Sequence, residues 1–146
     1  MMSRATLKDL VKTKLGGALF VVASNREPYI HIHKEDKIDC IRPASGMAFA
    51  LDPVMQACGG VWVAHGGGDA DKEVVDDKNR VQVPSGNPKY TLRRVWLSKE
   101  EEEEDGYYYG LSNETFWPLC HIAYVRPTFD ELDWIQYKKV NQRFAE

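Results

Sequence analysis

The run Leu19-Phe20-Val21-Val22-Ala23 is apolar and partly β-branched, and it stops at Ser24-Asn25-Arg26-Glu27-Pro28. Gly16-Gly17 precedes it and Pro28 closes it off, so the run has the length of a strand rather than a helix. Apolarity without alternation predicts a strand covered on both faces, as in a parallel sheet layered between helices. Such sheets bind ligands just outside the carboxyl ends of their strands. Arg26 falls at that point, and a planar, permanently charged guanidinium suits a phosphate or a carboxylate. A structural ion pair to a neighbouring acid also accounts for Arg26 when this stretch is taken alone.

The remaining chain repeats the pattern. Leu7, Leu10, Val11 and Leu15 recur at helical spacing, which predicts an N-terminal helix over Ser3–Lys14 that ends at Gly16-Gly17. Tyr29–His33 reads as a short strand or loop, and Glu35-Asp36-Lys37 as a solvated turn. Pro43-Ala44-Ser45-Gly46 then leads into apolar residues at helical spacing, with Pro53 either interrupting that helix or opening a second one. Gly59-Gly60 closes it. Val61–Ala64 is a second buried strand, followed by a Gly-rich loop, His65-Gly66-Gly67-Gly68-Asp69. Strand, loop, helix, strand, loop is the rhythm of an α/β sheet with ligand loops at one edge.

Beyond Asp69 the chain turns polar as far as Lys89, with Val74-Val75 and Val81–Val83 as weak strand candidates. Tyr90–Leu97 alternates and predicts a strand. Ser98 followed by acids predicts a helix N-cap with a solvated first turn. The segment Tyr107–His121 is dense in aromatics and broken by Gly110 and Pro118, which argues against one regular element. Phe129, Trp134, Tyr137, Val140 and Phe144 mark a C-terminal amphipathic helix.

Composition narrows the function classes. With 43% hydrophobic and 28% charged residues, 146 residues suffice for a real core. A net charge of −3 argues against nucleic acid as a partner, and no apolar stretch approaches the roughly 20 residues of a membrane span. The N-terminus lacks a signal-peptide pattern. Cys40, Cys58 and Cys120 are odd in number and widely spaced, which fits reduced thiols in a cytoplasmic protein. The four histidines show no metal-ligand spacing, and no metal or cofactor is expected.

Three constellations remain for chemistry. Arg26 ends the first strand. Ser45-Gly46 opens a helix, where free N–H groups and the dipole favour an anion, although a plain tight turn reads the same way. The aromatic block Tyr107-Tyr108-Tyr109 through Trp117-Pro118 and His121 combines flat faces with hydroxyls and amides, the composition of a sugar-binding wall, or of a loop packed on a sheet.

Taken in order, Ser-Asn-Arg after the first strand, Ser45-Gly46 opening a helix, Gly-Gly-Val-Trp before a Gly-rich loop, Tyr-Tyr-x-x-x-Ser-Asn-x-x-x-Trp-Pro-x-x-His, and the Phe129–Ala145 pattern resemble the start of the trehalose-6-phosphate synthases, retaining glycosyltransferase family 20. The resemblance spans Leu19–Glu146. It implies an α/β chain, part of the Rossmann-like N-terminal domain of a GT-B glycosyltransferase, with residues 18–146 on the acceptor side and 1–17 a helical extension. The implied reaction transfers glucose with retention from a nucleotide sugar, usually UDP-glucose, to glucose-6-phosphate, without a metal or cofactor.

By the same resemblance, Arg26 and Tyr108 bind the acceptor phosphate, Trp117 lines the acceptor site, and Gly46 lies beside the donor. Two departures stand out. Only one glycine of the family's pair is present, at Gly46, and His65 stands where the family places a tryptophan, as a loop residue that contacts ligand or is merely polar. The family's donor-binding half and its catalytic groups lie outside these residues, so no catalytic residue is expected here and no turnover from these residues alone. Self-association through uncovered apolar surface is a further expectation. The competing readings are a non-catalytic sugar-phosphate-sensing or regulatory module and a generic α/β domain.

Overall fold

The computed structural model describes residues 4–122 and 124–146. The predicted helix start at Ser3 lies outside them. The chain divides into two compact units, Met1–Val95 and Trp96–Glu146.

In the first unit, helix α1 (Arg4–Leu15) precedes strand β1 (Val21–Ser24). A hairpin comes next, β2 (Ile30–Lys34) and β3 (Lys37–Ile41), turning at Glu35-Asp36. Helix α2 (Gly46–Cys58) crosses to β4 (Val61–His65), and β5 (Arg80–Val83) and β6 (Tyr90–Val95) complete the sheet. Its order is β1-β4-β6-β5, with β1, β4 and β6 parallel and β5 antiparallel to β6. Joining parallel neighbours requires a crossover, and α2 supplies it between β1 and β4. Val74-Val75 forms no strand.

The double coverage expected for the first strand belongs to β4 instead. Trp62, Val63 and Ala64 are buried, whereas Leu19 is 69% and Val21 52% exposed, because β1 is an edge strand. Pro53 interrupts nothing: α2 is a single helix capped by Ser45, whose Oγ accepts from Ala48 N at 3.3 Å. Trp62, Ala64, Tyr90 and Leu92 from the sheet meet Ala48 and Met55 of α2 in the core. Fully burying side chains such as Trp62, Met55 and Leu92 contributes about 1.5–3 kcal/mol each.

One carboxylate lies inside that core. Asp52 accepts from Tyr90 Oη (2.7 Å), Tyr29 Oη (3.1 Å), Gln56 Nε2 (2.7 Å) and Arg42 Nη2 (2.7 Å). Four donors offset its desolvation, and they tie the hairpin to α2 and the sheet. Gly60 is needed where α2 hands over to β4. Its φ is +110°, and an added Cβ would lie 2.1 Å from Phe20 O, the acceptor for Val61 N–H.

The second unit differs from expectation in two ways. Ser98 caps only a turn, its Oγ accepting from Glu101 N, and the acidic run is not wholly solvated. Glu103 is fully buried, where Arg143 grips it with both terminal nitrogens (2.7 and 2.8 Å) and Lys139 Nζ lies 3.0 Å away. The aromatic segment, read as irregular, is instead one π-helix, Asp105–Phe116, running directly into α3 (Trp117–Cys120). Trp117 N–H bonds Ser112 O, five residues back. The two supposed breakers are accommodated: Pro118 opens α3, and Gly110 meets helix α4 (Glu131–Ala145), where a Cβ would lie 2.2 Å from Asp133 Oδ2. Within α4, Val140 is buried while Trp134 and Ile135 are exposed, as is Phe129 before it.

Candidate functional site

At the carboxyl ends of the parallel strands, backbone bonds join neighbours: His65 N donates to Asn25 O (3.1 Å) and Gly66 N to Val95 O (3.2 Å). Arg26 lies two residues beyond the end of β1 and is exposed. The neighbouring acid that would have neutralised it is engaged elsewhere. Glu27 is buried, with Oε2 accepting from Arg94 Nε at 2.8 Å and Oε1 from Gly67 N at 3.0 Å.

Arg94 is the centre of a buried network that sequence reasoning missed. Its Nη2 lies 2.7 Å from Asp71 Oδ1 and 2.8 Å from His31 Nδ1, and Nη1 donates to Asp71 O at 3.1 Å. Asp71 also accepts from His31 N and Gly68 N, each at 2.7 Å. Burial, with a hydrogen bond to Asp71, pushes the Glu27 carboxyl up to about 8 against the pull of Arg94. Burial alone would raise Asp71 too, but hydrogen bonds from His31 and Glu27 outweigh it and bring it down to about 2. The two acids hold one proton between them, on Glu27. His31 is pulled two ways: its side-chain bonds to Asp71 and Cys40 raise the imidazole to about 9, whereas Arg94, which can only donate, meets Nδ1 as an acceptor.

This network changes the reading of the Gly-rich loop. The N–H groups of Gly66, Gly67 and Gly68 are all taken by protein acceptors, so this loop is no phosphate cradle. Gly68 is fixed sterically as well, since a Cβ there would lie 2.2 Å from His31 O. Gly46 differs. It is the first residue of α2, exposed, and a Cβ on it meets nothing within 4 Å. Ser45 takes the amides of Ala48 and Phe49, leaving those of Gly46 and Met47 without partners among the described residues.

His65 is the last residue of β4 rather than a loop residue, half-buried, with Nδ1 3.2 Å from Val95 O. Beside it, Asn25 Oδ1 is buried and has no partner among the described residues.

Arg26, Gly46 and His65 belong to the first unit, Tyr108 and Trp117 to the second. The aromatic block sorts itself by burial. Tyr107 packs on Tyr137 and Phe144, Phe116 sets its edge on Tyr137, and burial pushes the Tyr107 hydroxyl up to about 12. Tyr108 is half-buried, with its ring edge-on to Tyr109 at 5.2 Å. Trp117 is 52% exposed and stacks on His121 at 4.5 Å, with 20° between the planes. The His121 stack also escaped sequence reasoning, although its i, i+4 spacing from Trp117 was there to be read. Among the described residues no cluster of acids, histidines and cysteines has the makings of a metal site, and no helix is long and apolar enough to cross a membrane.

The sequence profile of glycosyltransferase family 20 matches residues 18–146. The chain belongs to glycosyltransferase family 20. A trehalose-6-phosphate synthase of Mycolicibacterium vanbaalenii is 37% identical over 136 residues, covering 92% of this chain and 27% of that protein. The solved trehalose-6-phosphate synthase OtsA matches 88% of this chain and 25% of its own, with a TM-score of 0.59 and 26% identity. An Escherichia coli structure bound with UDP-2-fluoro-glucose matches 86% of this chain and 22% of its own, with a TM-score of 0.53 and 26% identity. This family 20 chain therefore spans about a quarter of the length of the relatives it matches, and its α/β architecture with a parallel sheet is that of the GT-B synthases.

Proposed function

We propose that this chain supplies the acceptor side of a trehalose-6-phosphate synthase-like glucosyltransferase, with Arg26 holding the phosphate of glucose-6-phosphate or a related sugar phosphate. The observation that carries the reading is Arg26 itself. It is exposed at the carboxyl end of a parallel strand, while its neighbour Glu27 is withdrawn to Arg94. A guanidinium in that state offers paired donors to a dianion. On the second unit, Tyr108 and Trp117 carry a hydroxyl and an exposed aromatic face of the kind that binds a sugar. Gly46, with free amides at the start of a 13-residue helix, suits a donor phosphate. The donor is a nucleotide sugar, UDP-glucose by family, and a retaining transfer proceeds only when donor-binding groups stabilise the departing diphosphate.

These 146 residues alone therefore bind acceptor without turnover. The expected compartment is the cytoplasm, in keeping with three free cysteines. Titration calorimetry with glucose-6-phosphate tests the reading. Arg26→Ala is expected to weaken binding roughly 10- to 100-fold, the loss of one or two charge-assisted hydrogen bonds. Binding that is unchanged in Arg26→Ala overturns the role of Arg26, and UDP release from UDP-glucose and glucose-6-phosphate overturns the statement on turnover.

A further inference from the structure

The imidazole of His65 is oriented as a ligand-reading group. It ends β4, the strand between β1 and β6, so the carboxyl ends of both neighbours flank it. Its backbone N–H holds Asn25 O at 3.1 Å, one residue before Arg26. Its Nδ1 lies 3.2 Å from Val95 O, at the end of the other neighbour. A carbonyl oxygen only accepts, so the proton on the neutral ring is on Nδ1 and the lone pair on Nε2. Nε2 has no partner among the described residues, and the residue is only half-buried. A main-chain carbonyl that fixes the tautomer while leaving the other nitrogen open is the orienting partner that a reading histidine requires.

We propose that His65 determines acceptor specificity, Nε2 accepting a hydrogen bond from a hydroxyl of the phosphorylated sugar whose phosphate Arg26 holds. This inference rests on the acceptor-site reading above. It divides the ligand into two parts: the anion is read at the end of β1 and the hydroxyl-bearing body at the end of β4. A phosphate without a sugar body satisfies Arg26 alone. Unlike an aromatic wall, which accepts any sugar face, a single fixed lone pair requires a donor at one position.

Two measurements on the full chain test this. Long-range proton–nitrogen NMR at alkaline pH, with the His65 signals assigned by their loss in His65→Gln, is expected to show the proton on Nδ1; a proton on Nε2 overturns the proposal. Calorimetry then compares inorganic phosphate with glucose-6-phosphate. His65→Asn, whose amide matches the Nδ1 position and leaves Nε2 vacant, is expected to weaken glucose-6-phosphate about 3- to 10-fold, one neutral hydrogen bond, with phosphate unchanged. His65→Gln, whose amide oxygen reaches the Nε2 position, is expected to restore most of that loss. Equal weakening of both ligands, or wild-type sugar-phosphate affinity in His65→Asn, overturns the role of His65 and leaves Arg26 standing. Failure of phosphate to bind in an Arg26-dependent way overturns the acceptor-site reading, and the ligand assigned to His65 falls with it.

Discussion

Glu27 and Arg26 are adjacent, and folding gives them opposite fates. The buried acid, raised to about 8, keeps its proton in the folded chain, whereas the unfolded chain releases it near 4.5. The fold thus binds an extra proton between those values, and this contribution to stability declines as pH rises from about 4.5 through about 8. Urea unfolding is expected to show lower stability at pH 8 than at pH 5, by roughly 2–4 kcal/mol. Glu27→Gln, neutral at both, should reduce that difference and leave the share of His31, whose imidazole is raised to about 9; an equal slope in the variant would place the titration elsewhere. Gly60→Ala is the sharper steric case. The new methyl meets Phe20 O, a main-chain atom that already accepts from β4, and destabilisation of about 2 kcal/mol or more is expected by the same assay. Gly46→Ala, with open space around the position, should cost little stability.

At the scale of elements, the apolar periodicities revealed most strands and helices, while the reasons for failure are local. Leu19–Ala23 looked doubly covered, but sequence does not say which strand lies at the edge of a sheet. Arg94 hid in plain view: Tyr90 and Leu92 alternate inward, and the next inward position is an arginine facing the small Ala64 across the sheet. That break of phase at 94 was legible; its partners Glu27, His31 and Asp71, 23 to 67 residues away, were not. Gly110 and Pro118 read as breakers because local propensity ignores the surface a helix packs against. In the second unit, Arg143 and Lys139 bind Glu103 and hold its carboxyl down to about 2. Stability from that cluster is present above about 4.5 and is lost as pH falls through about 2. Arg143→Ala is expected to destabilise the second unit by about 1–3 kcal/mol at pH 7, by thermal melting, with the difference shrinking toward pH 2.

For the whole molecule, family membership rests on nearly the entire chain, yet that chain is a quarter of its relatives. Arg26 and His65 lie in the first unit, Tyr108 and Trp117 in the second. The second unit exposes Phe129, Leu132, Trp134 and Ile135 within seven residues, an apolar surface of the kind that associates. Sedimentation is expected to show concentration-dependent association, reduced by Leu132→Glu; a monomer at every concentration would exclude it.

The four tryptophans are also unevenly dealt. Trp62 alone represents the first unit, fully buried, with Nε1 bonded to Ser24 Oγ at 2.8 Å and its ring stacked on Tyr90. Trp117 and Trp134, in the second unit, stand open to solvent. A neutral quencher such as acrylamide will therefore silence much of the second unit's emission and spare the β4 indole bonded to Ser24 of β1. The chain carries its own optical label for the strand that presents Arg26, and loosening of that strand will register as newly quenchable light.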